Sequence, residues 1–102
     1  MADESKYWAS GSWQVSEGSA DRFVERWTEF LTWTGEEHKG LVAARLIRDQ
    51  GNPSHFVSFA KWADAESRTA WQNDPQFAEY FGACRELCTD VQASGYELAV
   101  AI

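Results

Sequence analysis

The stretch His55-Phe-Val-Ser-Phe-Ala-Lys-Trp62 decides the fold of this chain. It is rich in aromatic and β-branched residues, which favour a pleated strand. Its side chains alternate, with Phe56, Ser58, Ala60 and Trp62 on one face and Val57, Phe59 and Lys61 on the other. The stretch therefore predicts a strand, and the elements on either side can be placed from it.

Two helices are predicted after this strand. Asp64 has the short side chain that caps a helix start, and Asp74 followed by Pro75 repeats the signal, because proline suits the first helical position. From Pro75 to Cys88 the apolar residues recur at helical spacing. They are Phe77, Tyr80, Phe81, Cys84, Leu87 and Cys88.

Upstream of His55 the pattern predicts a strand and then a helix. Tyr7 to Val15 alternates, with Ala9, Gly11, Trp13 and Val15 on one side. The helix begins after the capping residue Ser19 and ends in the polar segment between Gly35 and Gly40. Its apolar stripe consists of Phe23, Trp27, Phe30, Leu31 and Thr34.

The remaining strands complete an antiparallel sheet. Leu41 to Arg48 is predicted to join the His55 strand as a hairpin through the turn cluster Asp49-Gln-Gly-Asn-Pro53. A last strand is predicted from Tyr96 to Ile102. The order strand, helix, strand, strand, helix, strand is typical of the split βαβ arrangement in ferredoxin-like α+β folds.

Length and charge limit the class of protein. The chain has 102 residues, a net charge of −7 and nine lysines and arginines that do not cluster. This length predicts one domain, over residues 7–102, after a loose polar N-terminus, residues 1–6. The absence of a basic patch argues against nucleic-acid binding. No apolar run approaches the roughly 20 residues that span a bilayer, so a soluble cytoplasmic protein without membrane contact is expected.

The two cysteines are interpreted as core residues. Cys84 and Cys88 lie four residues apart, so on a helix they share one apolar face. A metal site needs further ligands at recognisable spacing, and the two histidines, His38 and His55, stand alone in separate segments. We therefore expect no metal here, and a metal or redox pair is the alternative.

The strands do not alternate cleanly between apolar and polar faces. In the second strand one face carries Leu41, Ala43 and Ile47, and the other carries Val42, Ala44 and Leu46. In the last strand one face carries Leu98, Val100 and Ile102, and the other carries Ala99 and Ala101. Both sheet faces are therefore expected to be buried, whereas the helices of one chain cover only one of them. A second copy packed face to face supplies the cover, which predicts a homodimer.

The sequence resembles the antibiotic biosynthesis monooxygenase family from Trp8 to Ile102. The resemblance is carried by Ser16-Glu-Gly-Ser-Ala-Asp-Arg-Phe23, Gly40-Leu-Val-Ala-Ala-Arg-Leu-Ile-Arg-Asp49, Phe56-Val-Ser-Phe-Ala-Lys-Trp62, Trp71-Gln-Asn-Asp-Pro-Gln-Phe77 and Tyr96-Glu-Leu98. It implies a dimeric α+β barrel with a pocket between helices and sheet in each protomer. Members include cofactor-independent oxygenases of polycyclic aromatic quinols, haem-degrading enzymes, isomerases and domains without known activity, and the fold does not choose among them.

The resemblance also argues against haem. Its haem-degrading branch has an asparagine on strand one, a tryptophan on the second helical segment and a haem-ligating histidine ten residues later. Trp71 matches the tryptophan, but Gly11 replaces the asparagine and Phe81 the histidine. Without an axial ligand haem is not expected. The quinol oxygenases take electrons from the substrate itself, so no cofactor is implied.

The expected pocket is apolar and aromatic, and it suits a flat aromatic ligand. Trp71, Phe81 and Trp27 are its predicted walls. Gly11 either leaves extra room over the first strand or marks a plain bulge.

Few polar groups are available to act on such a ligand. Arg45 lies mid-strand, where it either snorkels, pairs with a carboxylate or faces the pocket and holds an anion. Ser58 and Tyr80 are candidates for a hydrogen bond to the ligand, against ordinary packing. His38, in a polar loop, is expected to be solvent-exposed without a special role, and His55 is also expected to have none. No catalytic residue is assigned.

The leading hypothesis is a homodimer that binds a small aromatic or polyketide-type molecule and oxidises it with dioxygen, as a cofactor-independent monooxygenase. The alternative is a non-catalytic ligand-binding or accessory domain of the same fold. In that case the absence of the asparagine and the histidine reflects a loss of catalytic activity. The sequence does not name the physiological substrate.

Overall fold

The computed structural model describes residues 6–102, which form four strands and three helices. In chain order they are β1 Tyr7–Val15, α1 Ala20–Glu37, β2 Leu41–Arg48, β3 His55–Trp62, α2 Ala65–Asn73, α3 Pro75–Arg85 and β4 Cys88–Glu97. The strands form an antiparallel sheet in the order β2-β3-β1-β4, so β3 and β1 lie in the middle. This is the ferredoxin-like α+β fold that the order of elements predicted.

The predicted loose N-terminus falls mainly on residues 1–5, which lie outside the described residues. Lys6 is exposed, and its carbonyl accepts a hydrogen bond from the backbone N–H of Leu98 at 2.8 Å. None of the helices in residues 6–102 has the length and hydropathy of a membrane-spanning segment.

β3 and the helix starts that follow it are confirmed. The side chains of β3 that face the helices are buried, namely Phe56, Ser58, Ala60 and Trp62. The Asp64 carboxylate accepts the N–H of Ser67 at 2.7 Å, and the Asp74 carboxylate accepts the N–H of Gln76 at 2.9 Å. These bonds satisfy backbone donors that have no partner inside the helix. Ser19 precedes α1 as predicted, but its side chain makes no capping hydrogen bond.

α1 buries a stripe of large side chains against the sheet, namely Phe23, Trp27, Phe30, Trp33 and Thr34. Trp33 was absent from the predicted stripe, and Leu31 is only half-buried. The helix continues through Gly35 to Glu37. Glycine costs about 1 kcal/mol in a helix interior, and the burial of Trp33 just before it offsets that cost.

The predicted C-terminal boundaries are wrong. α3 ends at Arg85 rather than at Cys88, and β4 covers Cys88–Glu97 rather than Tyr96–Ile102. β4 pairs along the whole of β1, so backbone pairing with a distant strand places it. Most of its residues are exposed and carry little apolar pattern, because it is an edge strand. Residues 98–102 lie outside any strand.

The alternation of β2 also differs from the prediction. A register shift between Leu41 and Ala43 moves Leu41 to the helix side of the sheet, where it lines a cavity. Ala43, Arg45 and Ile47 stay together on the opposite side, across from Lys61, Phe59 and Val57 of β3. An extra residue in one strand reverses the faces beyond it, and side-chain pattern alone does not reveal such a bulge.

The sheet face turned away from the helices is called the outer face. Its large apolar side chains are Trp8, Ile47, Val57, Phe59 and Tyr96. Ile47 and Tyr96 are 52% and 55% exposed. Arg45 and Lys61 share this face. Leu98 and Ala99 line a groove on it with Trp8, Phe59 and Tyr96, whereas Val100 and Ile102 are exposed beyond the last strand. The predicted apolar back of the sheet is thus a patch on β1–β3 and Tyr96, and the prediction for the last strand is wrong.

Candidate functional site

A cavity of about 250 Å³ lies between the helices and the helix side of the sheet. β1 and β3 form its floor, and α1, α2 and α3 contribute its walls. Its large apolar lining side chains are Trp13, Trp27, Phe30, Leu31, Leu41, Trp71, Phe77 and Phe81. Cavities with such walls and a few placed polar groups are typical binding sites for small organic molecules.

Three residues of the cavity floor fit closely together. Trp13 Nε1 donates a hydrogen bond to Ser58 Oγ at 3.0 Å. Gly11 pairs with Ser58 in the β1–β3 ladder, which runs through this point without a register shift. A Cβ on Gly11 would stand 2.7 Å from Trp13 Nε1 and 3.2 Å from Ser58 Oγ. Gly11 therefore does not mark a bulge between these strands, and the Trp13 indole takes the room that a side chain at Gly11 would need.

A second buried pair fixes the wall opposite the floor. Trp71 Nε1 donates to Thr34 Oγ1 at 3.0 Å, and Thr34 Oγ1 donates to the carbonyl of Phe30 at 2.7 Å. The Trp71 ring also lies 5.7 Å from the Phe30 ring and 4.9 Å from the Trp62 ring. Because its indole N–H is hydrogen-bonded and its ring packs against two neighbouring rings, Trp71 is a fixed wall of the cavity.

The structure brings five of the seven predicted site residues to the cavity: Trp71, Phe81, Trp27, Gly11 and Ser58. Arg45 lies on the outer face, exposed, with its guanidinium donating to the carbonyl of Ala44 at 2.7 Å. Tyr80 stacks on Trp33 at 5.0 Å and borders a surface groove between α1 and α3. Neither Arg45 nor Tyr80 lines the cavity, because Arg45 is on the outer face of the sheet and Tyr80 is turned toward Trp33 and the groove between α1 and α3.

Sequence reasoning missed Trp13 and Thr34 as cavity residues. Trp13 shares a strand face with Gly11, since residues two apart in a strand point the same way. That spacing was the signal that could have found it. Thr34 and its partner Trp71 are 37 residues apart in the chain. No local pattern connects them.

The segment that builds the cavity also matches a known family. Residues 7–83 match the family described as antibiotic biosynthesis monooxygenase, which covers β1 through most of α3. The chain belongs to this family. None of the curated proteins matches the chain in sequence.

Solved structures share the fold of this antibiotic biosynthesis monooxygenase domain. A crystal structure of a mutant of SnoaB, a cofactor-independent oxygenase from Streptomyces nogalater, is 17% identical with a TM-score of 0.87, over 97% of this chain and 98% of that chain. A conserved protein of unknown function from Bacteroides thetaiotaomicron is 20% identical with a TM-score of 0.80, over 94% of this chain and 100% of that chain. At these identities the likeness shows the fold.

Phe81 stands where the haem-degrading members of the monooxygenase family were expected to have a histidine, and it lines the cavity. Its ring packs against Trp13 at 5.1 Å and Phe77 at 5.3 Å. A phenyl ring has no lone pair to give to iron. Phe81 therefore packs against its neighbours and lines the cavity, and it cannot act as a ligand to iron.

A second polar arrangement lies at the outer face of the monooxygenase domain. Ser12 Oγ lies 2.7 Å from His55 Nε2, and His55 Nδ1 lies 3.0 Å from Asp49 Oδ2. The order of groups is that of a serine–histidine–aspartate relay. Ser12 sits in β1, which pairs on both sides, so the backbone N–H groups around it are used by the sheet and cannot form an oxyanion hole. We interpret the arrangement as a pair of hydrogen bonds that joins β1 to the β2–β3 turn, which gives His55 a structural role.

His38 is partnered as well, contrary to the expectation of a solvent-exposed imidazole. Its Nε2 lies 2.9 Å from Asp74 Oδ2, and its side chain is only 13% exposed. Hydrogen bonds from the backbone N–H of Gln76 and then from His38 hold the pKa of Asp74 below its ordinary value of 3.8. Asp74 thereby joins the end of α1 to the start of α3.

We expect Asp74→Asn to lower the urea concentration at the midpoint of unfolding at neutral pH. In acid we expect the variant and the wild type to unfold at the same urea concentration. A carboxyl whose pKa is lowered by folding contributes stability above its unfolded pKa, and the contribution disappears as the pH falls through the folded value. The difference in urea midpoint between wild type and variant should therefore become smaller below about pH 4. Urea titrations followed by tryptophan fluorescence measure it. A difference that stays constant in acid contradicts the prediction, and Glu79→Gln on the exposed side of α3 is the control.

The core interpretation is confirmed for Cys84, whereas Cys88 is only partly buried and does not share the helix with it. Cys84 is fully buried in α3, and Cys88, which begins β4, is half-buried with its Sγ 3.5 Å from the Cys84 carbonyl. Burial raises the pKa of Cys84 to about 12 and that of Cys88 to about 11. Both groups are therefore protonated thiols near neutral pH, and the thiolate is the reactive form.

We expect neither thiol to react readily with Ellman's reagent in the native protein at mildly alkaline pH. After unfolding in urea both should react, because their ordinary pKa and full exposure return. Absorbance of the released thiolate counts the reactive groups. Fast labelling of either cysteine in the folded state contradicts the prediction.

Proposed function

We propose that this protein binds a small aromatic or polyketide-type molecule in the cavity and oxidises it with dioxygen, as a cofactor-independent monooxygenase. The observation that carries the proposal is the aromatic lining of an apolar space of about 250 Å³. Flat aromatic ligands stack favourably on such walls. The fold shared with SnoaB, a cofactor-independent oxygenase, supports the reaction type.

The proposed reaction converts an activated CH₂ group of an anthrone-type substrate into a carbonyl. The carbon loses two hydrogens and four electrons, one oxygen atom of dioxygen becomes the new carbonyl oxygen, and the other leaves as water with those hydrogens. The substrate supplies all the electrons. The protein excludes water, fixes the ring plane against Trp71, and places the Ser58 hydroxyl where negative charge develops on the substrate oxygen.

The second candidate is a non-catalytic ligand-binding domain of the same fold. It is favoured by the cavity lining, which among residues 6–102 includes no aspartate, glutamate, histidine, lysine or arginine. A general base must lie within hydrogen-bond reach of the proton that it removes. Turnover, rather than binding, separates the two candidates.

Oxygen uptake with anthrone and with dihydroxynaphthalenes tests the proposal. The wild type is expected to consume dioxygen above the uncatalysed rate. Trp71→Ala should lose about tenfold or more in kcat/KM, because the ring no longer fixes the substrate plane. Trp71→Phe keeps a ring and is the matched control, with circular dichroism confirming that each variant folds. If no compound is consumed but several quench tryptophan fluorescence saturably, the binding domain is supported instead.

We further propose that two copies pack outer face to outer face as a homodimer. The helices cover one side of the sheet, while Trp8, Ile47, Val57, Phe59 and Tyr96 leave an apolar patch on the other. Exposed patches of this kind mark association sites in soluble proteins. A twofold dimer uses the same patch on both copies, so every outer-face contact occurs twice.

We also propose that the protein is cytoplasmic. Both cysteines are free thiols in the structure. Unpaired cysteines are typical of compartments in which glutathione and thioredoxin keep thiols reduced.

A further inference from the structure

We propose that the ligand of this cavity enters uncharged, has two or three fused rings, and carries one oxygen that accepts a hydrogen bond from Ser58. This inference rests on the proposed function in that it takes the cavity as the ligand site. It goes further by naming the charge, the size and the anchoring atom of the ligand. Three features of the cavity carry it.

The first feature is a buried hydroxyl with a spare proton. Ser58 is 6% exposed and lines the cavity. Its Oγ accepts the Trp13 N–H at 3.0 Å, and no acceptor within the described part of the chain takes the Ser58 hydrogen. Thr34 differs, because its hydroxyl both accepts from Trp71 and donates to a carbonyl. Buried donors generally have partners. An acceptor atom of a ligand supplies the missing partner of Ser58.

Trp13 and Gly11 make this donor directional. Since Trp13 occupies one lone pair of Ser58 Oγ, the hydroxyl hydrogen is directed elsewhere, and polarisation by the indole N–H strengthens the bond that it donates. The arrangement depends on glycine at position 11, because a Cβ there would stand 2.7 Å from Trp13 Nε1. Gly11 thereby preserves a hydrogen-bond donor in the floor of an otherwise apolar cavity.

The second feature is the electrostatic character of the lining. The cavity has no ionisable side chain among residues 6–102. Thr34 also lines it, but its hydroxyl already has both partners, and the serine and glutamine side chains other than Ser58 are peripheral. Ser10 and Ser94 point to the outer face by strand alternation, and Gln72 is exposed. A charged ligand would lose its hydration without gaining a counter-ion. An uncharged ligand avoids this loss.

The third feature is size. The cavity measures about 250 Å³. A cavity of about 150 Å³ lined by apolar side chains already admits benzene. The larger space therefore suits two or three fused rings packed against the aromatic walls, with a polar atom against the floor.

Three commercially available compounds test the inference by isothermal titration. α-Tetralone has two fused rings and a carbonyl, tetralin has the same ring skeleton without the oxygen, and α-naphthoate carries a charge. We expect α-tetralone to bind about fivefold to tenfold more tightly than tetralin, which is the net effect of one hydrogen bond. We expect no measurable binding of α-naphthoate.

Variants assign the preference to Ser58. Ser58→Ala removes the donor and should bring the affinity ratio of α-tetralone to tetralin close to one. Ser58→Cys keeps the bulk of the side chain with a weak donor, and it serves if the alanine variant does not fold. Ser10→Ala is the matched control, because it removes a serine hydroxyl from the outer face of the neighbouring strand and should leave the ratio unchanged.

The outcomes separate this inference from the proposed function. Equal binding of α-tetralone and tetralin, binding of α-naphthoate at least as tight as that of α-tetralone, or an unchanged ratio in Ser58→Ala overturns the inference while the cavity remains a ligand site. Binding of none of the three compounds overturns both. A preference for α-tetralone that depends on Ser58, without oxygen uptake in the assay above, supports the inference and rejects the oxygenase.

Discussion

Phe30→Ala is expected to destabilise the protein by about 3 to 5 kcal/mol, the range for deleting a buried phenylalanine ring. Phe30 is fully buried in the middle of α1. Its ring centroid lies within 6.5 Å of six other aromatic rings, those of Trp27, Trp33, Trp71, Phe77, Tyr80 and Phe81. Removing it leaves a hole among rings that cannot all move inward, because Trp71 is also held by its hydrogen bond to Thr34.

Urea unfolding at one fixed protein concentration measures this loss. Val24→Ala is the matched control, since Val24 lies on the same helix with 40% of its surface exposed. It should change the free energy of unfolding by no more than about 0.5 kcal/mol. The free energy of unfolding of a whole domain is about 5 to 15 kcal/mol, so Phe30→Ala should remove a large part of it. A loss below about 1 kcal/mol would show that the ring cluster is not the main support of the fold.

Phe59→Asp is expected to convert the proposed homodimer into a monomer at micromolar concentration. Phe59 lies on the outer face opposite Arg45 of β2, in the middle of the patch that we propose is buried. The carboxylate would lose its water in the interface, which costs about 2 kcal/mol or more, and the Arg45 guanidinium opposite it would have to lose its water as well. The twofold axis places the substitution in the interface twice, so the dissociation constant should rise by roughly a thousandfold.

Light scattering coupled to gel filtration measures the mass of each variant. The wild type should elute with twice the mass of the chain, and Phe59→Asp with the mass of one chain. Val24→Asp places the same charge on the exposed side of α1 and should stay dimeric. A wild type that is monomeric at micromolar concentration removes the dimer proposal and leaves the cavity in a single chain untouched.

Most of the sheet and helix assignments followed from local pattern. The alternation of β3 from His55 to Trp62 and the caps at Asp64 and Asp74 depend on neighbours a few residues away, and the structure has them where the sequence predicted them. Of the site, the aromatic walls Trp71 and Phe81 were predicted through the family resemblance, and the structure places both at the cavity.

The partners of individual polar groups could not be predicted. Trp13 and Ser58 are 45 residues apart, and His38 and Asp74 are 36 residues apart. Arg45 could face either side of the sheet until the register of β2 was known. Such pairs depend on register and helix placement, which no window of neighbouring residues contains.

The sequence by itself determined that β1, β2 and β3 are strands, where α2 and α3 begin, and which faces of β1 and β3 are apolar. These features depend on backbone periodicity and on capping side chains, both of which are local. The tertiary structure alone decided the position of β4, the bulge in β2 and the joining of Gly11, Trp13 and Ser58 in the cavity floor. An edge strand takes its register from its partner, and a hydrogen-bond donor acquires a direction only when distant strands meet.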